Sequence, residues 1–328
     1  MKLLIRYISK LTFRRSFNVL KIAAGYLISN LIRKPAVFSL PWGVSFEVAA
    51  VCQLHCPECP VGMGLVEREN SFFPFEKYEK VIKEIYKDIC EVQLFFQGEP
   101  LLNKEIERFV KVADDKKLFS TISTNGQLLT QEICERLVAS GLDKIIISVD
   151  GIDQDTYAKY RVNGSLDKVL EGIKHLESAK KKVNSKFPYV EIQFLAFSYN
   201  ENQINDLKHF FQGYSIDKLS VKTAQIYSSE KAGLIPKSNR LSRYREVDGK
   251  VQLKRKQANR CKRLWSASVI TSDGELVPCC FDKTAGYVFG NIEDSSFLEI
   301  WYSKRSEAFR HKVLTNRKGI EICGNCTS

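Results

Sequence analysis

The 328-residue sequence has no hydrophobic run long enough to cross a bilayer. Its longest uncharged and mostly apolar stretch extends from Ile22 to Ile32 and is interrupted by Asn30, whereas a spanning helix needs about 20 apolar residues. No small-residue cleavage site follows a clean apolar core, so a secretory signal is not indicated either. We therefore expect a cytoplasmic protein without a transmembrane segment.

Acidic residues are absent from the first 46 positions. This segment carries +8 of the net charge of +12, so the excess charge belongs to the N-terminus and does not indicate nucleic-acid binding by the whole protein. Residues 3–32 repeat apolar side chains at helical spacing, and Lys2, Arg6, Lys10 and Arg14 recur every four residues along one face. We predict a basic amphipathic helical segment over residues 1–43.

Two interpretations of this segment stay open. A basic amphipathic helix is typical of peripheral attachment to an anionic membrane surface, here the cytoplasmic side of the inner membrane. The alternative is a helical arm that packs on its own domain and keeps its basic face in water.

Cysteine is abundant, and its ten residues indicate metal binding rather than disulfides in a cytoplasmic chain. Seven cysteines fall into two clusters of recognisable spacing, and Cys90, Cys134 and Cys280 are left over. Cys90 and Cys134 lie in apolar, helix-patterned stretches, so we interpret them as small buried thiols.

Cys52, Cys56 and Cys59 form a C-x3-C-x2-C pattern on one short loop after a strand-like run. Three thiolates on one turn can hold a four-iron cluster and leave one iron open, and an open metal position is where chemistry takes place. The competing interpretation is a zinc site, because Cys-x2-Cys pairs are also common zinc ligands.

Strand-like and helix-like segments alternate from residue 44 to residue 224. The predicted strands are 44–51, 91–96, 119–123, 144–149, 189–197 and 218–223, and the predicted helices lie near 75–89, 103–117, 130–140, 165–182 and 202–213. Apolar strands joined by helices predict parallel pairing with right-handed crossovers. Six such units, without a seventh and eighth, predict an α/β fold based on a partial (β/α)6 TIM-type barrel.

Polar stretches follow the first four strands, so they would meet on the face where TIM-type barrels carry their active sites. Gly98 permits close approach of the backbone to a ligand, and Glu99 can accept a hydrogen bond from an ammonium group. The remaining candidates are Ser123, Asn125, Ser148 and Arg161. They offer hydroxyl, amide or guanidinium groups to a ribose or a carboxylate.

A second cysteine cluster closes the chain. Residues 225–260 contain glycine, proline, serines and a basic run, which predict a linker into a small domain at 261–328. The candidate ligands in this domain are Cys261, Cys279, Cys323 and Cys326. Four cysteines suffice for a second 4Fe–4S cluster and equally for a structural zinc site. Asp273-Gly274 predicts a hairpin between two strands, and a helix is predicted over 298–313.

Cys280 is adjacent to the proposed ligand Cys279, and three interpretations of it stay open. It can be a spectator thiol, a ligand that exchanges with Cys279, or a donor of a hydrogen atom to a carbon radical of the substrate. Neighbouring residues of a strand point to opposite sides, so Cys280 should face away from the cluster if Cys279 faces it.

The cysteine loop, Gly98-Glu99-Pro100, the serine–asparagine pair and the downstream arginine resemble the radical S-adenosylmethionine (SAM) superfamily. The C-x12-G-x4-C opening and terminal C-x2-C of the last domain resemble the SPASM/twitch extension of that superfamily. The resemblance implies that the open iron of a 4Fe–4S cluster chelates SAM and cleaves it reductively to a 5′-deoxyadenosyl radical. It implies SAM contacts by Gly98, Glu99, Ser123, Asn125, Ser148 and Arg161, and only one auxiliary 4Fe–4S cluster, as in the shorter twitch form. Gln97 departs from the pattern, where a second glycine is usual.

The resemblance also implies an enzyme that removes a hydrogen atom from a substrate carbon. Twitch-type relatives suggest oxidation or epimerisation of a sugar-like or aminocyclitol-like molecule, with flavodoxin or ferredoxin as electron donor. One alternative is maturation of a ribosomal peptide or a protein, although the segment before the first strand is short and helical for a peptide-recognition domain. A non-catalytic iron–sulfur or zinc scaffold is the other alternative, and it would not need the strand-end residues.

Overall fold

The computed structural model describes residues 1–227, 233–247, 250–254 and 257–327. The strands are β1 Gly43–Phe46, β2 Glu91–Gln93, β3 Phe119–Thr124, β4 Lys144–Ser148, β5 Tyr189–Ala196, β6 Lys218–Thr223, β7 Tyr244–Val247, β8 Lys250–Leu253, β9 Ala267–Ile270, β10 Glu275–Val277 and β11 Gly290–Asn291. The helices are α1 Lys2–Ser9, α2 Phe13–Ile32, α3 Phe75–Ile85, α4 Ile106–Asp115, α5 Gln131–Ala139, α6 Gln154–Tyr160, α7 Leu166–Lys182, α8 Leu207–Phe210, α9 Arg263–Ser266, α10 Phe297–Trp301, α11 Lys304–Asn316 and α12 Glu321–Gly324. None of the helices in these ranges has both the length and the apolarity that crossing a bilayer requires.

A nine-stranded sheet organises the molecule, in the order β11-β10-β9-β1-β2-β3-β4-β5-β6. Strands β1 to β6 are parallel neighbours in chain order, with Val44 opposite Val92 and Ile122 opposite Ile145. Their apolar side chains and the inner faces of the crossover helices form one continuous core. The predicted partial barrel of six β/α units is confirmed.

The C-terminal strands extend the same sheet. Strand β9 lies parallel to β1, with Val44 opposite Ser268, and β9, β10 and β11 then pair in antiparallel order. Gly274 has a φ of +83° at the turn between β9 and β10, which is the hairpin that Asp273-Gly274 predicted. Indole N–H groups of Trp265 and Trp301 donate to the carbonyl oxygens of Ala36 and Ser39, both at 3.0 Å, and so join this region to the chain before β1.

Several elements differ from the sequence-based bounds. The first strand ends at Phe46 rather than at residue 51, because the N–H of Val48 turns back to bond the carbonyl of Phe46 at 2.9 Å. The helix predicted at 202–213 is a 3-10 turn, Glu201–Asn205, followed by the short α8. The helix predicted at 298–313 is two helices, α10 and α11, because Ser303 caps the start of the second one.

The region predicted as a linker contains the antiparallel hairpin of β7 and β8. Tyr244 is buried at its start, and the Tyr244 hydroxyl accepts from the N–H of Ile226 at 3.0 Å and bonds the Asn325 side chain at 2.5 Å. Part of the basic run in this predicted linker, residues 255 and 256, lies outside the described residues.

The N-terminal segment folds as two helices. The Thr12 side chain accepts from the N–H of Arg15 and starts α2 there, which separates it from α1. Helix α1 lies across the N-terminal ends of the barrel strands, where Lys2 meets Asp217 at 2.8 Å and both Arg6 and Lys10 meet Asp143 at 2.5 Å. It therefore covers the end of the barrel opposite the polar strand-end motifs.

Candidate functional site

The cysteine loop lies beyond the C-terminal end of β1. The N–H of Cys59 bonds the carbonyl of Cys56 at 3.1 Å, and a Cβ on Gly62 would lie 2.5 Å from that same carbonyl oxygen, so the loop closes tightly on itself. Leu54 and Cys56 are buried in a small apolar cluster with Tyr160, Phe197 and Ala224, and Cys52 and Cys59 pack against it. The loop therefore has a defined shape from its own backbone and from an apolar floor.

Neighbouring strand ends reach two of these cysteines. The side-chain N–H of Asn125 lies 3.6 Å from the sulfur of Cys52, and a guanidinium N–H of Arg161 lies 3.8 Å from the sulfur of Cys56. Gln53, a position that sequence reasoning did not interpret, donates to the Asn125 side-chain oxygen at 3.3 Å. Residues from the first, third and fourth β/α units thus converge on the loop.

Glu99 is buried and holds the turn that follows β3. One carboxylate oxygen accepts from the N–H of Leu101 at 3.1 Å and from the hydroxyl of Thr124 at 2.7 Å, and the other accepts from the N–H of Asn125 at 2.8 Å. Burial raises the pKa of Glu99, and the N–H of Asn125 is the largest of the contacts that oppose this shift. Since a carboxylate oxygen accepts up to two bonds, the one bonded to Asn125 can accept a further donor.

Gly98 has a φ of +67°, and a Cβ there would lie 2.4 Å from the carbonyl oxygen of Ala49. Its lack of a side chain lets the segment after β1 and the loop after β2 approach each other, and the ligand approach that we predicted for Gly98 stays a prediction. Gln97, at the unusual position of the motif, is buried and donates to the carbonyl of Phe96 at 3.2 Å. Ser123 and Ser148 lie at the C-terminal ends of β3 and β4 on the same face, half-buried and buried respectively.

Arg161 forms an ion pair with Asp150, a residue that sequence reasoning did not select. The Asp150 side chain is fully buried, and its oxygens accept from Arg161 Nε at 2.6 Å and from the N–H of Leu195 at 2.7 Å. Burial alone would lower the pKa of Arg161, but the charges of Asp150 and Cys56 outweigh it and raise this pKa well above its ordinary value. The position of Asp150 directly after β4 was the signal available in the sequence.

Four cysteines of the last domain line one internal cavity. Cys261, Cys279, Cys323 and Cys326 face it together with apolar side chains and Arg317. The guanidinium of Arg317 donates to the sulfur of Cys326 at 3.3 Å. Residues up to 65 positions apart are therefore brought together as the C-x12-G-x4-C and C-x2-C patterns predicted.

Cys280 does not line that cavity. Its sulfur accepts from a guanidinium N–H of Arg263 at 3.2 Å. The charges of both Cys59 and Cys280 also act on Lys283 and on Tyr227, and the Lys283 ammonium lies 4.7 Å from the Tyr227 ring centre. Cys280 lies in the turn after β10 rather than on the strand, so the alternation expected of a strand does not apply to it, and it shares the neighbours Lys283 and Tyr227 with Cys59 of the cysteine loop.

Both cysteine sets suit iron–sulfur clusters. Burial raises the pKa of Cys52 to about 11 and also raises the pKa of Cys56. Each thiol therefore releases a proton to solvent or to a base when its sulfur binds iron as a thiolate. In the described part of the chain no three Cys, His, Asp or Glu side chains stand close enough to share a single metal ion. A four-iron cluster distributes its thiolates over separate irons. Cys52, Cys56 and Cys59 would hold the cluster that leaves one iron open, and the C-terminal four would complete a closed one.

The fold, the three-cysteine loop at the strand ends and the four-cysteine cavity define a radical SAM enzyme with an auxiliary iron–sulfur domain. Residues 46–205 match the family model of the radical SAM superfamily, and residues 261–327 match that of the SPASM iron–sulfur cluster-binding domain. The chain belongs to this superfamily. Its cofactors are a SAM-binding 4Fe–4S cluster and at least one auxiliary iron–sulfur cluster. The family prediction is confirmed.

Among curated proteins, the chain is 25% identical over 297 residues to the PqqA peptide cyclase of Bradyrhizobium diazoefficiens, covering 83% of this chain and 75% of the relative. It is 25% identical over 336 residues to the AdoMet-dependent heme synthase of Methanosarcina barkeri, covering 89% and 92%. Among solved structures, Streptococcus suis SuiB bound to the precursor peptide SuiA has a TM-score of 0.64 at 16% identity, over 96% of this chain and 75% of SuiB. BtrN in complex with AdoMet and 2-DOIA has a TM-score of 0.55 at 19% identity, over 88% and 94%. At these identities the two structures indicate a shared fold.

Proposed function

We propose that this enzyme abstracts a hydrogen atom from a carbon of a sugar-like or aminocyclitol-like small molecule and yields an oxidised or an epimerised product. The bound cluster supplies one electron for reductive cleavage of SAM, which gives the 5′-deoxyadenosyl radical that removes the hydrogen atom. The observation that supports the proposal is that Cys280, outside the four-cysteine cavity, shares the neighbours Lys283 and Tyr227 with Cys59 of the cysteine loop.

The strand-end residues would hold SAM against the loop. Glu99, with remaining acceptor capacity on one oxygen, suits the ammonium group of SAM. Arg161 has its Nε bonded to Asp150, so its outer N–H groups remain directed toward the loop for the SAM carboxylate. Ser123, Asn125 and Ser148 offer hydroxyl and amide groups to the ribose.

The fate of the substrate radical decides the product. Loss of one electron and one proton gives a C=O or C=N product, and the four-cysteine site is a suitable electron acceptor. Transfer of a hydrogen atom from the Cys280 thiol to the opposite face of the radical inverts the carbon and leaves a thiyl radical. An electron from the reducing partner and a proton then restore the thiol, so this route is redox-neutral for the substrate.

Peptide modification is the second candidate, because the PqqA cyclase and the peptide-bound SuiB are among the similar proteins. One feature favours the small-molecule class. The residues before β1 form α1 and α2, and α1 covers the barrel end opposite the cysteine loop, where it cannot present a peptide to the site.

The electron donor is proposed to be an acidic flavodoxin or ferredoxin. A cleft beside Cys261 and Cys326 is lined by Arg260, Lys262, Arg263 and Arg317, whose positive charge complements such a partner. A basic cleft next to a cluster ligand gives a short path for the electron.

The test uses anaerobically reconstituted enzyme with SAM and a reductant. Panels of aminocyclitols, nucleotide sugars and peptides are screened for substrate-dependent 5′-deoxyadenosine above the uncoupled background. We expect stimulation by a member of the sugar or aminocyclitol panels, and stimulation by peptides alone would refute this substrate class.

For an active substrate, wild type and Cys280→Ala are then compared in deuterated water. If Cys280 donates the hydrogen atom, the wild type places one deuterium at the inverted carbon, whereas the variant still forms 5′-deoxyadenosine without inverted product. Unlabelled oxidised product from both proteins would remove Cys280 from the mechanism. Cys134→Ala, which changes a buried thiol away from the site, is the matched control.

A further inference from the structure

The N-terminal helices turn their apolar sides to solvent. Helix α2 buries Arg15, Asn18, Ile22, Gly25 and Ser29, spaced three or four residues apart. The opposite face is a stripe of large exposed apolar residues, Phe13, Phe17, Leu20, Leu27 and Leu31, and α1 adds Leu4, Ile5 and Ile8. We call this exposed set the arm face. A helix on the surface of a water-soluble protein normally buries its apolar side and exposes its polar side.

Specific bonds fix α2 in this orientation. The guanidinium of Arg15 donates to four backbone carbonyl oxygens at 2.5–3.3 Å. Asn18 donates to two more carbonyl oxygens, both at 3.1 Å, and Ser29 accepts from the N–H of Ala36 at 2.7 Å. A Cβ on Gly25 would lie 2.6 Å from the Ala36 carbonyl oxygen, so this close contact needs glycine. Rotating the helix to bury its apolar stripe would break all of these bonds.

The cations of α1 are likewise directed inward. Lys10 bonds Asp143 at 2.5 Å, Asp114 at 3.1 Å and the carbonyl of Leu118 at 2.9 Å, and Arg6 bonds the same two aspartates. The basic face that a membrane helix would direct to headgroups is therefore bound to the barrel. What remains for a partner is the apolar side of both helices.

The charges around the arm face indicate which kind of partner binds it. Lys21, Arg33 and Lys34 are exposed beside it and have no acidic partner in the described part of the chain. No acidic residue occurs in the first 46 positions. A second copy would bring like charges together, whereas anionic lipid headgroups complement them.

We propose that the arm face lies on the surface of an anionic phospholipid bilayer, with its apolar side chains at the headgroup–acyl boundary. Helix α2 alone extends about 30 Å along that surface, from the rise of 1.5 Å per residue. Because α1 covers the N-terminal ends of the strands, the cysteine loop at their C-terminal ends faces away from the bilayer and stays open to substrate. Apolar insertion is the main attraction, and the three exposed cations add a smaller one.

The test is co-sedimentation of the full-length protein with phosphatidylcholine vesicles that contain phosphatidylglycerol. Leu27 and Leu31 are 66% and 83% exposed, so Leu27→Glu/Leu31→Glu leaves the core unchanged. We expect this variant to bind at least about tenfold more weakly than wild type, because two apolar anchors become charged. Leu65→Glu changes an accessible apolar residue, 53% exposed, in the segment after the cysteine loop at the end of the barrel opposite α1, and should bind as wild type does.

Salt separates apolar insertion from charge attraction. Raising NaCl from about 0.1 M to about 0.5 M shortens the screening length about twofold, yet we expect wild-type binding to fall by less than about threefold. The proposal is overturned if wild type stays in the supernatant, or if the glutamate pair sediments as wild type does. A vesicle-independent dimer that the glutamate pair abolishes would instead make the arm face a self-association interface.

Discussion

Removing the charge of Asp150 tests how the Arg161 guanidinium is positioned at the cysteine loop. Asp150→Asn retains an oxygen for the N–H of Leu195 but loses the anion that meets Arg161 Nε at 2.6 Å. The arginine then keeps its charge beside Cys56, without the partner that fixes its rotation. We expect two separate consequences, one for stability and one for SAM binding.

The stability change follows from burial. The side chain of Asp150 is 0% exposed and that of Arg161 is 13% exposed. Removing one member of a buried ion pair costs about 3–5 kcal/mol, and the residual exposure of Arg161 places this case near the lower end, at about 3 kcal/mol. If a freely rotating guanidinium binds the SAM carboxylate about tenfold more weakly, SAM binding loses about 1.4 kcal/mol.

The free energy of unfolding is measured by urea titration of the apoprotein, and SAM affinity by calorimetry on the anaerobically reconstituted enzyme. Asp155→Asn is the matched control, because Asp155 carries the same charge at an exposed position of α6, the helix between Asp150 and Arg161. Wild-type SAM affinity in Asp150→Asn, with iron content unchanged, would show that Arg161 does not hold the carboxylate. Unchanged stability would refute the assignment of Asp150 and Arg161 as a coupled buried pair.

Two further predictions concern the metal content and the acid stability. Reconstituted wild type should contain about eight irons and eight sulfides per chain. The variant with Cys52, Cys56 and Cys59 all changed to alanine should retain about four irons and form no 5′-deoxyadenosine. About four irons with one zinc in the wild type would instead indicate a structural zinc site in the C-terminal domain. Burial alone would raise the pKa of Glu191. Hydrogen bonds from Lys144 and Ser220 outweigh this effect, together with the charges of Lys144 and Lys218, and lower the pKa to about 2. Its stabilisation is therefore present above the unfolded pKa of about 4.5 and is lost as pH falls through about 2, so Glu191→Gln should cost the apoprotein about 2 kcal/mol at neutral pH and no more than about 0.4 kcal/mol at pH 2. Equal losses at both pH values would contradict this assignment, and Glu177→Gln, in an exposed helical pair, is the control.

The parts of the site that could be predicted from the sequence are local or periodic. Three cysteines within eight positions must share a loop, and polar residues after successive parallel strands must share a face. The bounds of β3, β4 and β6 were close for the same reason, since short segments with apolar and β-branched residues between turn residues mark strands locally.

Contacts between distant segments could not be predicted in this way. Asp150 and Arg161 are 11 positions apart, on either side of α6, and only the path of that helix brings them together. The parallel pairing of β9 with β1 joins residues more than 220 positions apart, so composition gave no sign that the C-terminal strands continue the barrel sheet. The same limit applied to Gly98, whose need for a small residue comes from Ala49 in the segment after β1.

The N-terminal arm shows why helical periodicity alone cannot identify the buried side. An apolar stripe and a polar stripe are equally regular in α1 and α2, and the usual rule assigns the apolar one to the interior. Here the barrel offers acidic side chains and carbonyl oxygens at the N-terminal ends of its strands, among them Asp114, Asp143 and Asp217. Buried acceptors of this kind need donors more than they need apolar contact, because leaving them unsatisfied costs more than exposing a leucine. The polar side therefore packs inward, and the apolar side is left for the bilayer surface that we propose.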